Sequence, residues 1–342
     1  MAFFIYLCLM QLNFSFIIPV YNRPQETKEL LKSFTELNSN IEYEIVIIED
    51  GSTLSSEEIC KSFSSQLNIS YYFKENSGPG ASRNYGMLRA KGNYYIILDS
   101  DCILPSHYLN TISSFLNYNY YDCFGGADAA HSNFSTLQKA INYVMTSFYT
   151  TGGIRGSEKS VSNFEPRSFN MGISKEAFNA TNGFAKIHPG EDPDLSIRLL
   201  KSGFKTTFIP NAYVYHKRRI SWAKFYMQVK KFGLVRPILN SWHPSMAKIT
   251  YWFPTVFVLF SSVSISLSIF VNVFFIFPLG LYLCLIFLDS SIKNKSLYVG
   301  LLSVLALFIQ YFGYGLAFFK STIYINILKR DAEKQFPHLF FK

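Results

Sequence analysis

The chain has 342 residues, 49% of them apolar and 18% aromatic, with 34 Phe and 23 Tyr and a net charge of +9. That length sets a prior of about two domains, and the aromatic weight argues against a protein that is freely soluble throughout. The positive balance suits an anionic membrane or a phosphorylated ligand. Nucleic acid is the weakest of the three partners, because no zinc-finger or RNA-binding signature accompanies the charge, and none is expected.

Cys8, Cys60, Cys102, Cys123 and Cys284 form no C-x-x-C pair. They read as scattered reduced residues, neither a zinc site nor a disulfide frame. Residues 1–13 form a short apolar extension. Ala2 to Leu12 is too short to span a bilayer and lacks the basic start and cleavage site of a signal peptide. Met1 and Met10 both stay open as the start of translation.

From Phe14 to Asn22 the chain reads as a buried strand running into a loop. Pro24 then opens an amphipathic helix with Leu30, Leu31, Phe34 and Leu37 on one face. A strand over 43–48 ends in Glu49-Asp50-Gly51-Ser52, and a helix over 56–66 and a strand over 69–73 follow. Gly78 to Gly86 opens another helix, and the run Tyr94 to Leu98 leads into Asp99-Ser100-Asp101. Alternating strands and helices predict an α/β domain with a mostly parallel sheet flanked by helices.

Tyr21 and Asn22, Glu49 and Asp50, and Asp99 and Asp101 then gather on one rim, where open α/β sheets place their ligands. On a continuing strand, Asp99 and Asp101 point to the same side. Two such carboxylates suit a hard divalent cation, Mg²⁺ or Mn²⁺. In isolation the tripeptide reads first as a polar turn closing a strand. Asp50 is placed to accept a hydrogen bond from a base N–H. Arg83, in the first turn of a glycine-opened helix, is placed beside a diphosphate or else is a solvated surface arginine. Gly86 falls too late to complete G-x-G-x-x-G with Gly78 and Gly80, which excludes a Rossmann dinucleotide site.

In order, Ile18-Pro19-Val20-Tyr21-Asn22, Glu49-Asp50-Gly51-Ser52, Gly80-Ala81-Ser82-Arg83-Asn84-Tyr85-Gly86 and Asp99-Ser100-Asp101 resemble the motifs of family 2 glycosyltransferases with the GT-A fold. The resemblance covers roughly residues 14–235. It implies a nucleotide-diphosphate sugar as donor substrate (a UDP-sugar ahead of a GDP-sugar), a divalent metal and inversion at the anomeric carbon. It brings Pro19, Tyr21, Asn22, Glu49, Asp50, Arg83 and Asp99 to the donor substrate, and Asp99 and Asp101 to the metal. Asn170 to Phe178 resembles the strand and helix that line the donor sugar, which adds Asn170. Gly190-Glu191-Asp192-Pro193-Asp194-Leu195 resembles the Glu-Asp motif. Asp192 is then the expected base, with Glu191 in reserve, for taking the proton of the acceptor hydroxyl.

Read without the resemblance, Asp192 is a helix N-cap and Pro193 the first helical residue. His216, at the end of the strand-like Tyr213-Val214-Tyr215, is the implied third metal ligand or else a plain hydrogen-bonded histidine. Gln228-Val229-Lys230-Lys231-Phe232 stands where processive synthases carry Q-x-x-R-W. Lys231 and Phe232 replace Arg and Trp, which points to transfer of one sugar per encounter.

Gly152 to Gly156 reads as a flap or a surface loop, and Lys217-Arg218-Arg219 faces a diphosphate or, in preference, lipid headgroups. No charged residue occurs from Ile249 to Leu288 or from Ser296 to Phe319. A span needs about 20 apolar residues, so two or three transmembrane helices are expected over 249–319. They follow a GT-A domain over 14–245 and precede a basic tail over 320–342. The positive-inside rule does not settle their topology. The GT-A domain is expected to face the cytoplasm at a bacterial inner membrane, with a lipid-linked or membrane-proximal glycan as acceptor. A catalytically inactive sugar-nucleotide-binding scaffold on the same fold is the alternative. Retention of Asp99, Asp101 and Asp192 together disfavours it. A glycoside hydrolase is disfavoured because Asp99 and Asp101 are too close in sequence to flank a glycosidic bond.

Overall fold

A computed structural model describes residues 11–129, 135–151, 164–216 and 221–341. The 152–156 stretch, Lys217-Arg218-Arg219 and the first ten residues lie outside this set. The chain forms two units, one of residues 11–129, 164–216 and Phe341, the other of 135–151 and 221–340.

The first unit is built on a sheet of β1 (Phe14–Val20), β2 (Tyr43–Asp50), β3 (Ile69–Lys74), β4 (Tyr94–Leu98), β5 (Cys102–Ile103), β6 (Cys123–Ala129), β7 (Asn170–Ser174) and β8 (Thr206–His216). Their order is β3-β2-β1-β4-β7-β6-β8-β5. The first four are mutually parallel, whereas β7 runs antiparallel to β4 and to β6. The helices α1 (Pro24–Thr35), α2 (Glu57–Phe63), α3 (Pro79–Met87), α4 (Tyr108–Tyr118), α7 (Lys175–Thr181) and α8 (Glu191–Lys201) flank it. The intervening α5 (Thr136–Thr146) and α6 (Phe148–Thr151) belong to the other unit. The helix expected over 56–66 is shorter than its pattern, because Ser64 and Gln66 N–H groups close turns onto Lys61 and Phe63.

The apolar runs of β1 and β4 are buried on both faces, as parallel strands covered by helices require. Phe16, Ile18, Ile96 and Leu98 pack with Leu30, Phe34 and Tyr108 on one side. Ile17, Ile97, Ile48 and Met171 pack with Met87 and Phe178 on the other. Each such side chain contributes roughly 1.5–3 kcal/mol of burial. Pairing of β1 with β4 stops at Ile17, two residues before Pro19, which has no N–H to extend a ladder.

The chain leaves β1 outward to β2 and β3, then returns to β4 on the other side of β1. The sheet therefore has a switch point between β1 and β4, where a crevice opens at the strand ends. Leu98 pairs with Asn170, so the start of β7 joins the same rim.

In the second unit, α9 (Trp222–Trp242) lies along α12 (Leu297–Thr322), which also packs against α10 (Phe253–Phe270) and α11 (Phe277–Asn294). Close approach is possible because Gly233 has no side chain: a Cβ there would sit 2.4 Å from the Tyr314 carbonyl oxygen. Ser321 Oγ donates to the Leu234 carbonyl at 2.6 Å. Three stretches, Ile249–Phe270, Val273–Asn294 and Leu297–Ile327, are long and apolar enough to cross a membrane. Their many exposed apolar side chains, Leu259, Phe270, Phe277 and Leu301 among them, suit lipid. The α5–α6 segment docks here as well. Tyr143 Oη donates to Asp289 at 2.6 Å, Tyr282 Oη to the Tyr149 carbonyl at 2.9 Å, and Tyr311 Oη to the Thr150 carbonyl at 2.6 Å.

Candidate active site

Strand β4 ends at Leu98, and Asp99 to Asp101 form a tight turn in which the Cys102 N–H returns to the Asp99 carbonyl at 3.1 Å. The expectation that Asp99 and Asp101 share one strand face is therefore corrected. A turn, not the pleat, aims the two carboxylates, and each meets its own arginine. Asp99 Oδ1 accepts from Arg83 Nη2 at 2.9 Å, while Asp101 pairs with Arg23.

Arg83 is almost fully buried on α3, and it is the hub of the site. Besides Asp99 it reaches Glu191 Oε1 at 3.4 Å, and its guanidinium lies 5.4 Å from the Phe184 ring. Burial works against its charge, but Asp99, Asp192 and Glu191 outweigh that and hold it protonated more firmly than usual. The surface-arginine alternative does not apply.

Helix α8 begins at Glu191, with Gly190 at its N-cap in a left-handed conformation (φ 125°). Asp192 is consequently the second helical residue and Pro193 the third; the N-cap expectation for Asp192 is corrected. Its Oδ2 accepts from the Ser168 N–H at 3.2 Å, and its Oδ1 is buried without a hydrogen-bond partner among the described residues. Burial, then repulsion from Glu191, pushes Asp192 up to about 6, against the opposing pull of Arg83 and Ser168. Burial would also raise Glu191, but His188 and Arg83 prevail and hold it below the usual carboxylate range. His188 Nδ1 lies 2.8 Å from Glu191 Oε1.

Several residues expected at the donor substrate hydrogen-bond the loops at the rim. Glu49 is fully buried and accepts from the Ser56 N–H at 2.8 Å, Tyr71 Oη at 3.2 Å and Ser52 Oγ. Asp50 accepts from the N–H groups of Ser77 and Gly78, both at 3.0 Å, and from Lys74. Its carboxylate is thus engaged by its own loop and not presented to a base. Asn22, in left-handed backbone (φ 52°), accepts from the Thr53 and Leu54 N–H groups at 2.8 and 2.9 Å. Asn170 is fully buried: its Oδ1 accepts from Tyr108 Oη at 2.6 Å and its Nδ2 donates to the Ala212 carbonyl at 2.9 Å. It braces the core at the start of β7. Pro19 is half-buried at the end of β1, and Tyr21, 54% exposed, keeps an open ring face at the rim.

Among the described residues, no three His, Cys, Asp or Glu side chains are grouped so as to hold a metal ion by themselves. The backbone of His216 pairs with Cys102, one residue from Asp101, while its side chain lies outside the description. The chemistry of Asp99 and Asp101, paired carboxylates at the end of β4, does fit a cation that arrives with a diphosphate. Asp99, Glu191 and Asp192 surround the single charge of Arg83, and Mg²⁺-like ions take one or two carboxylates and complete their shell with phosphate and water.

Sequence reasoning missed Arg23, His188 and Ser168. A basic residue directly after Tyr21-Asn22, and a histidine three residues before Glu191, were the available signals.

Over 98 residues this chain is 42% identical to glycosyltransferase GlyA of Streptococcus pneumoniae, an alignment covering 28% of this chain and 14% of GlyA. It is 31% identical over 183 residues to the minor teichoic acid biosynthesis protein GgaA of Bacillus subtilis, covering 51% of this chain and 35% of GgaA. The chain thus spans only part of the length of these curated relatives. In fold it resembles a mannosyltransferase of Pyrobaculum calidifontis, solved in complex with GDP-Man and Mn²⁺, with a TM-score of 0.56 at 14% identity, over 95% of this chain and 89% of that one. Residues 15–180 match the family described as glycosyl transferase family 2. A mixed sheet with its switch point at β1 and β4, lined by the ordered motifs, accords with that match: residues 15–180 carry a glycosyl transferase family 2 domain, and the sheet unit has the GT-A fold.

Proposed function

We propose that this chain is a membrane-anchored, inverting glycosyltransferase. It moves one sugar from a nucleotide-diphosphate sugar, UDP-linked ahead of GDP-linked, to a lipid-linked or membrane-proximal glycan. The observation that carries the reading is Asp192: a partly buried carboxylate whose Oδ1 is buried and has no hydrogen-bond partner among the described residues, pushed to about 6, beside Arg83 at the sheet's switch point. Its Oδ1 is open to a proton or a hydroxyl while Oδ2 is held by the Ser168 N–H, as a positioned general base requires.

In the reaction, Asp192 takes the proton of the acceptor hydroxyl while its oxygen attacks the anomeric carbon from the face opposite the diphosphate. The carbon–oxygen bond to the diphosphate breaks, and configuration inverts. Arg83 faces the departing phosphates with a charge fixed by burial among carboxylates. Glu191, held ionised by His188 and Arg83, keeps Asp192 basic by repulsion. Asp101 and Asp99 would hold a divalent cation, Mn²⁺ or Mg²⁺, with His216 as third ligand, and the cation would neutralise charge on the leaving diphosphate. Tyr21 offers a ring for stacking on the base. The three apolar helices anchor the protein in a bacterial inner membrane with the sheet unit in the cytoplasm.

Calorimetric titration of UDP and of GDP into the detergent-solubilised protein, with Mn²⁺ and with EDTA, tests this. Metal-dependent binding of one diphosphate is expected. Binding of neither in Mn²⁺ would remove the UDP or GDP donor assignment and favour a donor carrying another nucleotide or a scaffold role.

A further inference from the structure

Phe341 lies far along the sequence from the motifs, yet it packs within the sheet unit beside them. Its ring rests on Gly78, the N-cap of α3. A Cβ at Gly78 would sit 2.2 Å from Phe341 Cδ2 and 2.4 Å from Cγ, so only glycine leaves room for the ring. Gly78 also adopts φ 86°, which disfavours any other residue. The Phe341 N–H donates to the Lys186 carbonyl at 3.1 Å, and its ring centroid lies 6.0 Å from that of His188. His188 in turn holds Glu191 at 2.8 Å, and Glu191 faces Arg83, five residues along from Gly78.

One side chain thus bridges the two segments that bracket the site, the N-terminus of α3 and the loop leading into α8. We propose that Phe341 is a positioning residue. It clamps the 186–190 loop onto the start of α3 and thereby keeps His188 on Glu191 opposite Arg83. The inference rests on the reading of Glu191 and Asp192 as the acceptor-activating pair. The glycine packing ties Phe341 to the start of α3, and the main-chain bond and the ring contact with His188 tie it to the 186–190 loop, so the three together favour a fixed clamp.

The test uses the full chain in detergent, as wild type, Phe341→Ala and Phe341→Tyr. Hydrogen exchange of peptides covering 184–192 reports the clamp without reference to activity. Release of UDP or GDP from a panel of nucleotide sugars reports turnover. Phe341→Ala should raise exchange in 184–192 by about tenfold and leave the central strands unchanged. Its kcat should fall about 10- to 100-fold, with the KM for the nucleotide sugar within about twofold, because misplacement by about 1 Å costs this much. Phe341→Tyr, which restores the ring, should restore both. Unchanged exchange in Phe341→Ala overturns the clamp, and raised exchange with undiminished kcat overturns its positioning role. Should wild-type turnover survive Asp192→Asn, the proposed base fails instead, and the exchange result alone judges the clamp.

Discussion

Replacing Asp192 with asparagine removes a charge that its surroundings oppose, and so should separate stability from activity. Its ordinary value is 3.8, moved to about 6 in the folded protein. Keeping the carboxylate ionised at neutral pH therefore costs about 3 kcal/mol, at 1.36 kcal/mol for each tenfold change. Asparagine escapes that cost but leaves one amide atom unsatisfied where Oδ1 now stands, at about 1–2 kcal/mol. The net expectation is a gain of about 1–2 kcal/mol, or an apparent melting temperature higher by about 2–6 °C.

The sign depends on pH. The folded value lies above the unfolded one, so the folded protein binds the extra proton between about pH 4 and 6. Wild-type stability accordingly falls across that window as pH rises. The advantage of Asp192→Asn should be absent near pH 4 and complete by pH 7. Thermal unfolding in detergent from pH 4 to 8, beside a transfer assay at pH 7, measures both halves. Transfer should fall by roughly 10²–10⁴. A variant less stable than wild type at pH 7, or one that still transfers sugar, would refute the reasoning.

For wild type, kcat/KM should fall about tenfold per pH unit below about pH 6, where Asp192 protonates; a flat profile from pH 5 to 8 would count against Asp192. Asp101→Ala should abolish the Mn²⁺ dependence of UDP or GDP binding seen by calorimetry, and unchanged metal dependence would move the cation elsewhere. Arg83→Ala leaves Asp99 and Glu191 without their shared partner, and Arg83 and Glu191, two of the three side chains, lie in nearly dry surroundings. It should destabilise the protein by about 3–5 kcal/mol, visible as a lower melting temperature, and a neutral result would mean that water replaces the guanidinium.

The α/β alternation up to β4 is legible because apolar runs and turn residues are local signals. Beyond Asp101 the order is not, since β7 enters antiparallel between β4 and β6, and pairing direction leaves no mark in a five-residue strand such as Asn170–Ser174. The motifs mark the rim without telling which side chains face it. Asp50 and Asn22 are acceptors for N–H groups of neighbouring loops, and nothing in their spacing distinguishes that from contact with a ligand. Arg83 and Glu191 meet across 108 positions, and Phe341 joins Gly78 from farther still. Such pairings follow from the folded path, not from periodicity. Asp192 differs: its place as second residue of α8 follows from Gly190 taking the cap, which a left-handed glycine does readily.

The α5–α6 segment lies in sequence between β6 and β7 but packs with the apolar helices. The sheet unit therefore cannot be freed by a single cut. A fragment ending after β8 would retain Tyr143, Tyr149 and Thr150 while losing Asp289, Tyr282 and Tyr311, their hydrogen-bond partners. Ile141 and Val144, now fully buried, would face water. Such a fragment would aggregate unless detergent covered that face. A water-soluble form would require excision of the α5–α6 segment as well as removal of the helices, with the gap between β6 and β7 rejoined by a short polar linker.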